Sequence, residues 1–128
     1  MKRINISSGA PWENTVGYSR AVKIGNTIEV SGTVAVKDGE ITGLGDPYQQ
    51  TKRALEIIQK AIEEAGGTLS DVVRTRVYIV NQDDWQKVGQ AHGEAFGEIK
   101  PASTMVVVKE LITPELLVEV EATAVLTN

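Results

Sequence analysis

Leu117-Val118-Glu119-Val120-Glu121-Ala122-Thr123-Ala124-Val125 decides how this chain is read, because it sets two carboxylates in an otherwise apolar run. The run is short and rich in valine, which marks a strand. Side chains alternate along a strand. Glu119 and Glu121 therefore share one face, while Val118, Val120, Ala122 and Ala124 share the other. A buried carboxylate is costly unless it is paired, so these two are compensated, wetted or used. An antiparallel strand with one wet face explains the pattern without any function. A used carboxylate makes this strand the address of a site.

Working outward, Pro101 opens a terminal pair of strands, 103–109 and 116–126, with Thr113-Pro114-Glu115 in the turn. Before it lies a helix over 85–96, capped by Asp83 or Asp84, whose stripe is Trp85, Val88, His92 and Phe96. A β-branched strand spans 72–80. The helix ahead of that begins at Asp46-Pro47, an N-cap followed by proline at the first helical position. Its face is Tyr48, Thr51, Leu55, Ile58, Ile62 and Ala65, and Gly66-Gly67 ends it. The first third reads as a β-meander: 18–24, a turn at Gly25-Asn26, 27–31, then Val34-Ala35-Val36 and a turn at Lys37-Asp38-Gly39-Glu40. The expected fold class is α/β (α+β), one mixed sheet with two helices on one face. Met105-Val106-Val107-Val108 is apolar on both sides, so the sheet face away from the helices is expected to meet another surface, most economically a second copy.

The 128 residues suit a single domain, 1–128. The absence of cysteine removes disulfides, thiolate metal sites and cysteine nucleophiles. With no charged-then-apolar leader and no apolar run of about 18 residues, neither secretion nor a membrane partner is expected, and the default location is cytoplasmic. The formal charge is −4 and the 13 basic residues are dispersed, which argues against a nucleic-acid partner. A small anion would need only one or two placed donors.

Gly43-Leu44-Gly45-Asp46-Pro47-Tyr48 resembles a dinucleotide loop only in part, since Tyr48 holds the third glycine position; a turn and an N-cap explain it. His92, the one histidine, lies on an apolar stripe, where a hydrogen-bonded core or interface residue is the ordinary reading and a catalyst the sharper one. No metal is expected, because no second histidine or cysteine exists to share one. Tyr18 and Arg20 share a strand face and could close and clamp a pocket, or merely line a half-exposed face. Ser31-Gly32 allows a ligand close to the backbone, or marks a bulge or a strand end.

Gly17-Tyr18-Ser19-Arg20-Ala21-Val22, Val30-Ser31-Gly32-Thr33, Asp71-Val72-Val73-Arg74-Thr75-Arg76-Val77-Tyr78, Pro101-Ala102-Ser103-Thr104 and Val118-Glu119-Val120-Glu121-Ala122 together resemble, in order and spacing, the Rid family, also called YjgF. The resemblance runs from about Gly17 to Val125. It implies a chorismate-mutase-like fold with a mixed six-stranded sheet, and a homotrimer whose sheets form a central barrel with the helices outside. It further implies ligand clefts between subunits and no cofactor. Well-known members hydrolyse enamines and imines such as 2-aminoacrylate to 2-oxo acids and ammonia.

Carried over position by position, the resemblance implies that Tyr18 is the cleft tyrosine and that Ser31 and Gly32 are its backbone corner. Glu119 is then the catalytic glutamate that positions water. Three positions depart from the pattern. Ser103 stands where deaminases carry a carboxylate-holding arginine, Gly89 where the second helix carries asparagine, and Met105 where a small cysteine-type residue is found. The chain therefore resembles a subgroup lacking the catalytic arginine. A lost charged hydrogen bond weakens carboxylate binding by about 1.5–3 kcal/mol, so ordinary 2-aminoacrylate deamination is not expected.

Two functions follow. One is a cofactor-free enamine/imine deaminase-type hydrolase acting on a small carbonyl- or imine-type metabolite, with Arg20 as a substitute clamp. The other is a non-catalytic binding or regulatory trimer. Ribonuclease activity, a label some relatives carry, is disfavoured by the acidic balance and the single histidine.

Overall fold

The computed structural model describes residues 1–127. In chain order it runs β1 (Arg3–Ile6), β2 (Ala21–Ile24), β3 (Thr27–Thr33), β4 (Val36–Lys37), β5 (Glu40–Ile41), α1 (Pro47–Glu64), β6 (Val72–Ile79), α2 (Trp85–Phe96), β7 (Ala102–Val107) and β8 (Val118–Val125). A π-helical turn spans Glu13–Gly17, and 3-10 turns span Leu69–Asp71 and Gln82–Asp84.

Six strands form one mixed sheet in the order β1-β2-β3-β8-β6-β7. Every neighbour pair is antiparallel except β6 and β7, which run parallel because α2 carries the chain back across the sheet. The strand read first, β8, lies between β3 and β6.

Three expectations need correction. Arg3–Ile6 joins the sheet at its edge, although only Ile6 of it is even half-buried. The strand expected over 18–24 starts at Ala21, so Tyr18 and Arg20 lie on the extended segment leading into it. Val34-Ala35-Val36 does not join the main sheet; Val36–Lys37 pairs with Glu40–Ile41 in a separate hairpin. The meander is consequently β1-β2-β3, and it keeps the count at six strands.

Both helices pack on one face of the sheet. Asp46 caps α1 by accepting from the Gln49 N–H at 3.1 Å, and Gly66 turns the chain out with φ +97°. The buried side of α1 includes Thr51, Ala54, Leu55, Ile58 and Ile62. Tyr48 leaves that face and donates its hydroxyl to Glu94 of α2. On α2, Val88, Ala91 and Phe96 are buried, whereas Trp85 is 53% exposed. Asp84 stands at its N-terminus without a side-chain capping bond. Val118, Val120, Ala122 and Ala124 of β8 meet both helices' apolar residues in one cluster. Each large side chain so buried contributes about 1.5–3 kcal/mol.

Gln50 fixes β8 from below. Its side chain is fully buried, donates to the Gly43 and Glu115 carbonyls at 3.2 and 3.0 Å, and accepts from the Leu117 N–H at 2.9 Å. The residues before Glu119 are thereby tied to the first turn of α1.

The other face of the sheet is more polar than Met105-Val106-Val107-Val108 suggested. By register it carries Glu29, Arg74, Arg76, Tyr78, Thr104, Val106, Glu119, Glu121 and Thr123. Val106 is 42% exposed there, while Met105 and Val107 point to the helix side.

Candidate functional site

The two carboxylates of β8 have different fates. Tyr78 donates its hydroxyl to Glu121 at 2.9 Å, and the Arg76 guanidinium lies 4.0 Å from the same oxygen. That hydrogen bond holds the Tyr78 hydroxyl above its usual pKa, with burial and the Glu121 charge adding to it. Glu121 is thus compensated by its neighbours.

Glu119 is not. It is half-buried, and among the described residues neither carboxylate oxygen accepts a hydrogen bond from the protein. Burial raises its pKa, the negative Glu121 raises it further, and Arg20 pulls it back only in part. A carboxyl held above its ordinary range and open to water can exchange a proton nearer neutrality.

The β3 bulge makes room for it. Register slips between Val30 and Thr33, so Ser31 and Gly32 bend away from β8. The bulge expected at Ser31-Gly32 is therefore present, and the strand continues to Thr33 rather than ending at Ser31. A side chain at Gly32 would collide with Glu119: an added Cβ would lie 3.1 Å from Cδ and overlap Oε2. The Ser31 hydroxyl donates to the Ser19 carbonyl at 2.6 Å, and Arg20 donates to the Gly32 carbonyl at 3.0 Å. Arg20 lies 5.6 Å from the centroid of the Tyr18 ring, a cation–π distance. Its Nε is buried with no hydrogen-bond partner among the described residues. Ahead of Tyr18, buried Glu13 accepts from Ser7 at 2.9 Å and from Ser8, which pins the N-terminal segment. Burial pushes against the Glu13 charge, but the two serines and Arg20 outweigh it and hold the pKa low. Tyr18, Arg20, Ser31, Gly32 and Glu119 are therefore one cluster.

Ser103, Met105 and Gly89 are not part of it. Ser103 pairs in register with Thr75, and Thr75 with Ala122, which faces the helices. Glu119 pairs with Tyr78 on the opposite face. Ser103 and Glu119 thus lie on opposite sides of the sheet with β6 between their strands. On the Ser103 side, the fully buried Thr75 hydroxyl donates to Ser103 Oγ at 2.7 Å and lies 2.8 Å from His92 Nε2. The His92 ring packs against Phe96 with centroids 4.7 Å apart, and burial lowers its pKa. His92 is thus a hydrogen-bonded, half-buried residue. Met105 shares a shallow hollow of about 350 Å³ with Ile79, Trp85 and Val107. A Cβ on Gly89 would meet open space.

Sequence reasoning missed Tyr78 and Thr75 as partners. The alternation of β6 against β8 was the signal for Tyr78, since two strands with polar residues at every second position can pair those faces. Nothing local could foretell Thr75, because its partners come from α2 and from β7. The Gly43–Tyr48 loop is a turn, closed by the Asp46 N–H on the Gly43 carbonyl at 2.9 Å. Among the described residues no group of three or more His, Asp or Glu could hold a metal ion, and no helix is long and apolar enough to cross a membrane.

Comparison with known proteins gives a consistent answer. The family model described as Endoribonuclease L-PSP matches residues 9–126. The crystal structure of Rv2704 from Mycobacterium tuberculosis, described as a member of the YjgF/YER057c/UK114 family, superposes with a TM-score of 0.89 at 46% identity, covering 98% of this chain and 100% of that one. A RutC family protein of Pyrococcus abyssi is 43% identical over 109 residues, 84% of each chain. The 3-aminoacrylate deaminase RutC of Acinetobacter baylyi is 31% identical over 124 residues, covering 96% of this chain and 97% of the relative.

Proposed function

The chain belongs to the Endoribonuclease L-PSP family, the RidA/YjgF group, and on that premise we propose that it is a cofactor-free hydrolase of a small reactive enamine or imine. It releases a carbonyl compound and ammonia in clefts between the subunits of a homotrimer. The observation that carries this reading is Glu119: half-buried, raised in pKa, without a hydrogen bond from the described protein groups, and seated against the bare backbone of Gly32.

The chemistry needs one acid–base group. Glu119 takes a proton from water as the water oxygen attacks the carbon of the protonated imine, and a neutral carbinolamine forms. The same carboxyl then returns the proton to nitrogen and takes the hydroxyl proton as the C–N bond breaks, ammonia leaves and the C=O forms. An enamine first becomes the protonated imine by taking the Glu119 proton at carbon, and the hydroxyl proton taken at the end restores that carboxyl. The relative named 3-aminoacrylate deaminase makes enamines the first substrates to try.

Glu119 with its cluster, and Ser103 with Met105, lie on opposite faces of the sheet of one protomer. A single ligand touches both only where one copy's helix-side edge meets the next copy's other face, which is the arrangement of a closed ring.

Ser103 in place of an arginine supports a second reading, a trimer that binds a small metabolite without turning it over. Ammonia release from freshly generated imines separates the two. Hydrolysis that falls by about a hundredfold or more in Glu119→Gln supports the enzyme. Binding without turnover supports the alternative. Equal turnover in the variant removes Glu119 from the mechanism.

A further inference from the structure

The Thr75 hydroxyl has one hydrogen to give, and it stands between Ser103 Oγ at 2.7 Å and His92 Nε2 at 2.8 Å. When that hydrogen goes to Ser103, Thr75 accepts from His92, so Nε2 carries the ring proton and Nδ1 does not. In that arrangement Ser103 receives a hydrogen bond from inside the fold and keeps its own hydrogen free. Each hydroxyl that accepts a bond becomes a better donor. The result is a chain of three donors pointing one way, from the helix, through a fully buried threonine, to an exposed hydroxyl on the edge strand.

The strand residues that share a face with that hydroxyl are uncharged. By register the helix-side residues of β6 and β7 are Thr75, Val77, Ile79, Ser103, Met105 and Val107. The nearby hollow is lined chiefly by Trp85, Met105, Ile79 and Val107. His92 adds no positive charge, since its burial disfavours the imidazolium. Arg74, beside Thr75 in β6, is turned to the other face and donates to Thr104 at 2.7 Å. A carboxylate brought to Ser103 would lose water and gain one neutral donor, a poor exchange. A neutral oxygen loses far less.

We propose that His92 and Thr75 are positioning residues that fix the Ser103 hydroxyl as an outward donor, and that this half of the cleft receives a neutral carbonyl or amide oxygen carrying an apolar substituent. The inference rests on the reading that Ser103 lines the ligand cleft, and it names the class of ligand that cleft takes. The arrangement also gives the lone histidine a purpose that does not require it to touch the ligand.

Two measurements test this on the intact 128-residue chain. Because His92 is the only histidine, the ring nitrogens can be read directly by ¹⁵N NMR of selectively labelled protein. The expected state is the Nε2–H tautomer; an Nδ1–H tautomer reverses the donor chain and overturns the proposal. The second measurement compares pyruvamide and pyruvate, a neutral and a charged probe of nearly the same shape, by NMR titration. The expected result is tighter binding of pyruvamide. Thr75→Val and His92→Phe should each weaken it by about 3- to 10-fold, the loss of one neutral hydrogen bond, while Thr75→Ser and His92→Gln restore it. Equal or tighter binding of pyruvate, no binding of either probe, or unchanged pyruvamide binding in Thr75→Val overturns the proposal. Glu119→Gln is titrated and assayed in parallel. Lost imine hydrolysis there, with no effect of Thr75→Val on the probes, leaves the hydrolase reading standing and removes only this one.

Discussion

The carboxylate of Glu119 occupies the space that a side chain on Gly32 would fill: a Cβ built there lies 3.1 Å from Glu119 Cδ and overlaps Oε2. The bulge in β3 and the acidic residue in β8 are thus one device. The glycine lets a half-buried carboxyl rest against exposed backbone, where it stays free of protein donors.

Gly32→Ala should therefore damage activity more than stability. The methyl group meets the far end of a flexible side chain, so Glu119 can swing away at a cost of about 1 kcal/mol or less in folding. The displaced carboxyl no longer meets substrate, and misplacement of about 1 Å can cost a hundredfold in rate. Steady-state kinetics beside thermal melts check this, and a large loss of stability with intact kcat counts against it.

Glu119→Gln should stabilise the fold near neutrality. The Glu119 pKa is raised by burial and by Glu121, so the folded state holds this proton more tightly than the unfolded chain does. Ionised Glu119 therefore subtracts from stability above its folded pKa, and the deficit fades as pH falls through the ordinary carboxylate range. The variant should melt higher than wild type at about pH 7, with the gap closing towards about pH 4. A gap that widens on acidification contradicts the assignment.

Gln50→Leu should be the most damaging of these changes to the fold. It removes three hydrogen bonds and leaves the Leu117 N–H and the Gly43 and Glu115 carbonyls seeking partners. The expected loss is about 2–3 kcal/mol, which at this size lowers Tm by roughly 10 °C. A melt within about 2 °C of wild type would show that the clamp is dispensable.

Ser103→Arg should turn the cleft towards acids. A guanidinium can pair both oxygens of a carboxylate, and one charged hydrogen bond is worth about 1.5–3 kcal/mol, so pyruvate should bind at least about tenfold more tightly than to wild type. Isothermal titration reads this directly. An unchanged affinity would place position 103 away from the ligand.

Much of the fold was legible in the chain. Asp46-Pro47 and Gly66-Gly67 bracket α1 because capping and left-handed turns are local chemistry. β8 announced itself through valine and alternation. Arg3–Ile6 stayed hidden because it is an exposed edge strand with almost no buried face. The hairpin at Val36–Ile41 was misassigned because a short apolar run says nothing about which sheet it joins. The same limit governs the site. Glu119 stood out as a charge in an apolar strand, and the Gly32 bulge was foreseeable from glycine alone. The opposite facing of Ser103 and Glu119 depends on parallel pairing of β6 with β7, set by the path of α2, and no local pattern encodes it. The donor chain from His92 joins residues 17 and 28 positions apart in sequence and exists only once that crossover has formed.

The central claim is that Glu119 of one protomer and Ser103 of the next act on the same ligand, and subunit complementation tests it most directly. Glu119→Gln and Ser103→Asp, each expected to be inactive in imine hydrolysis, are mixed one to one, exchanged through unfolding and refolding, and assayed for ammonia release. Random trimers would rebuild both wild-type partners in about one cleft in four, so activity should return to roughly a quarter of the wild-type value. A mixture as inactive as its parents would contradict the shared cleft.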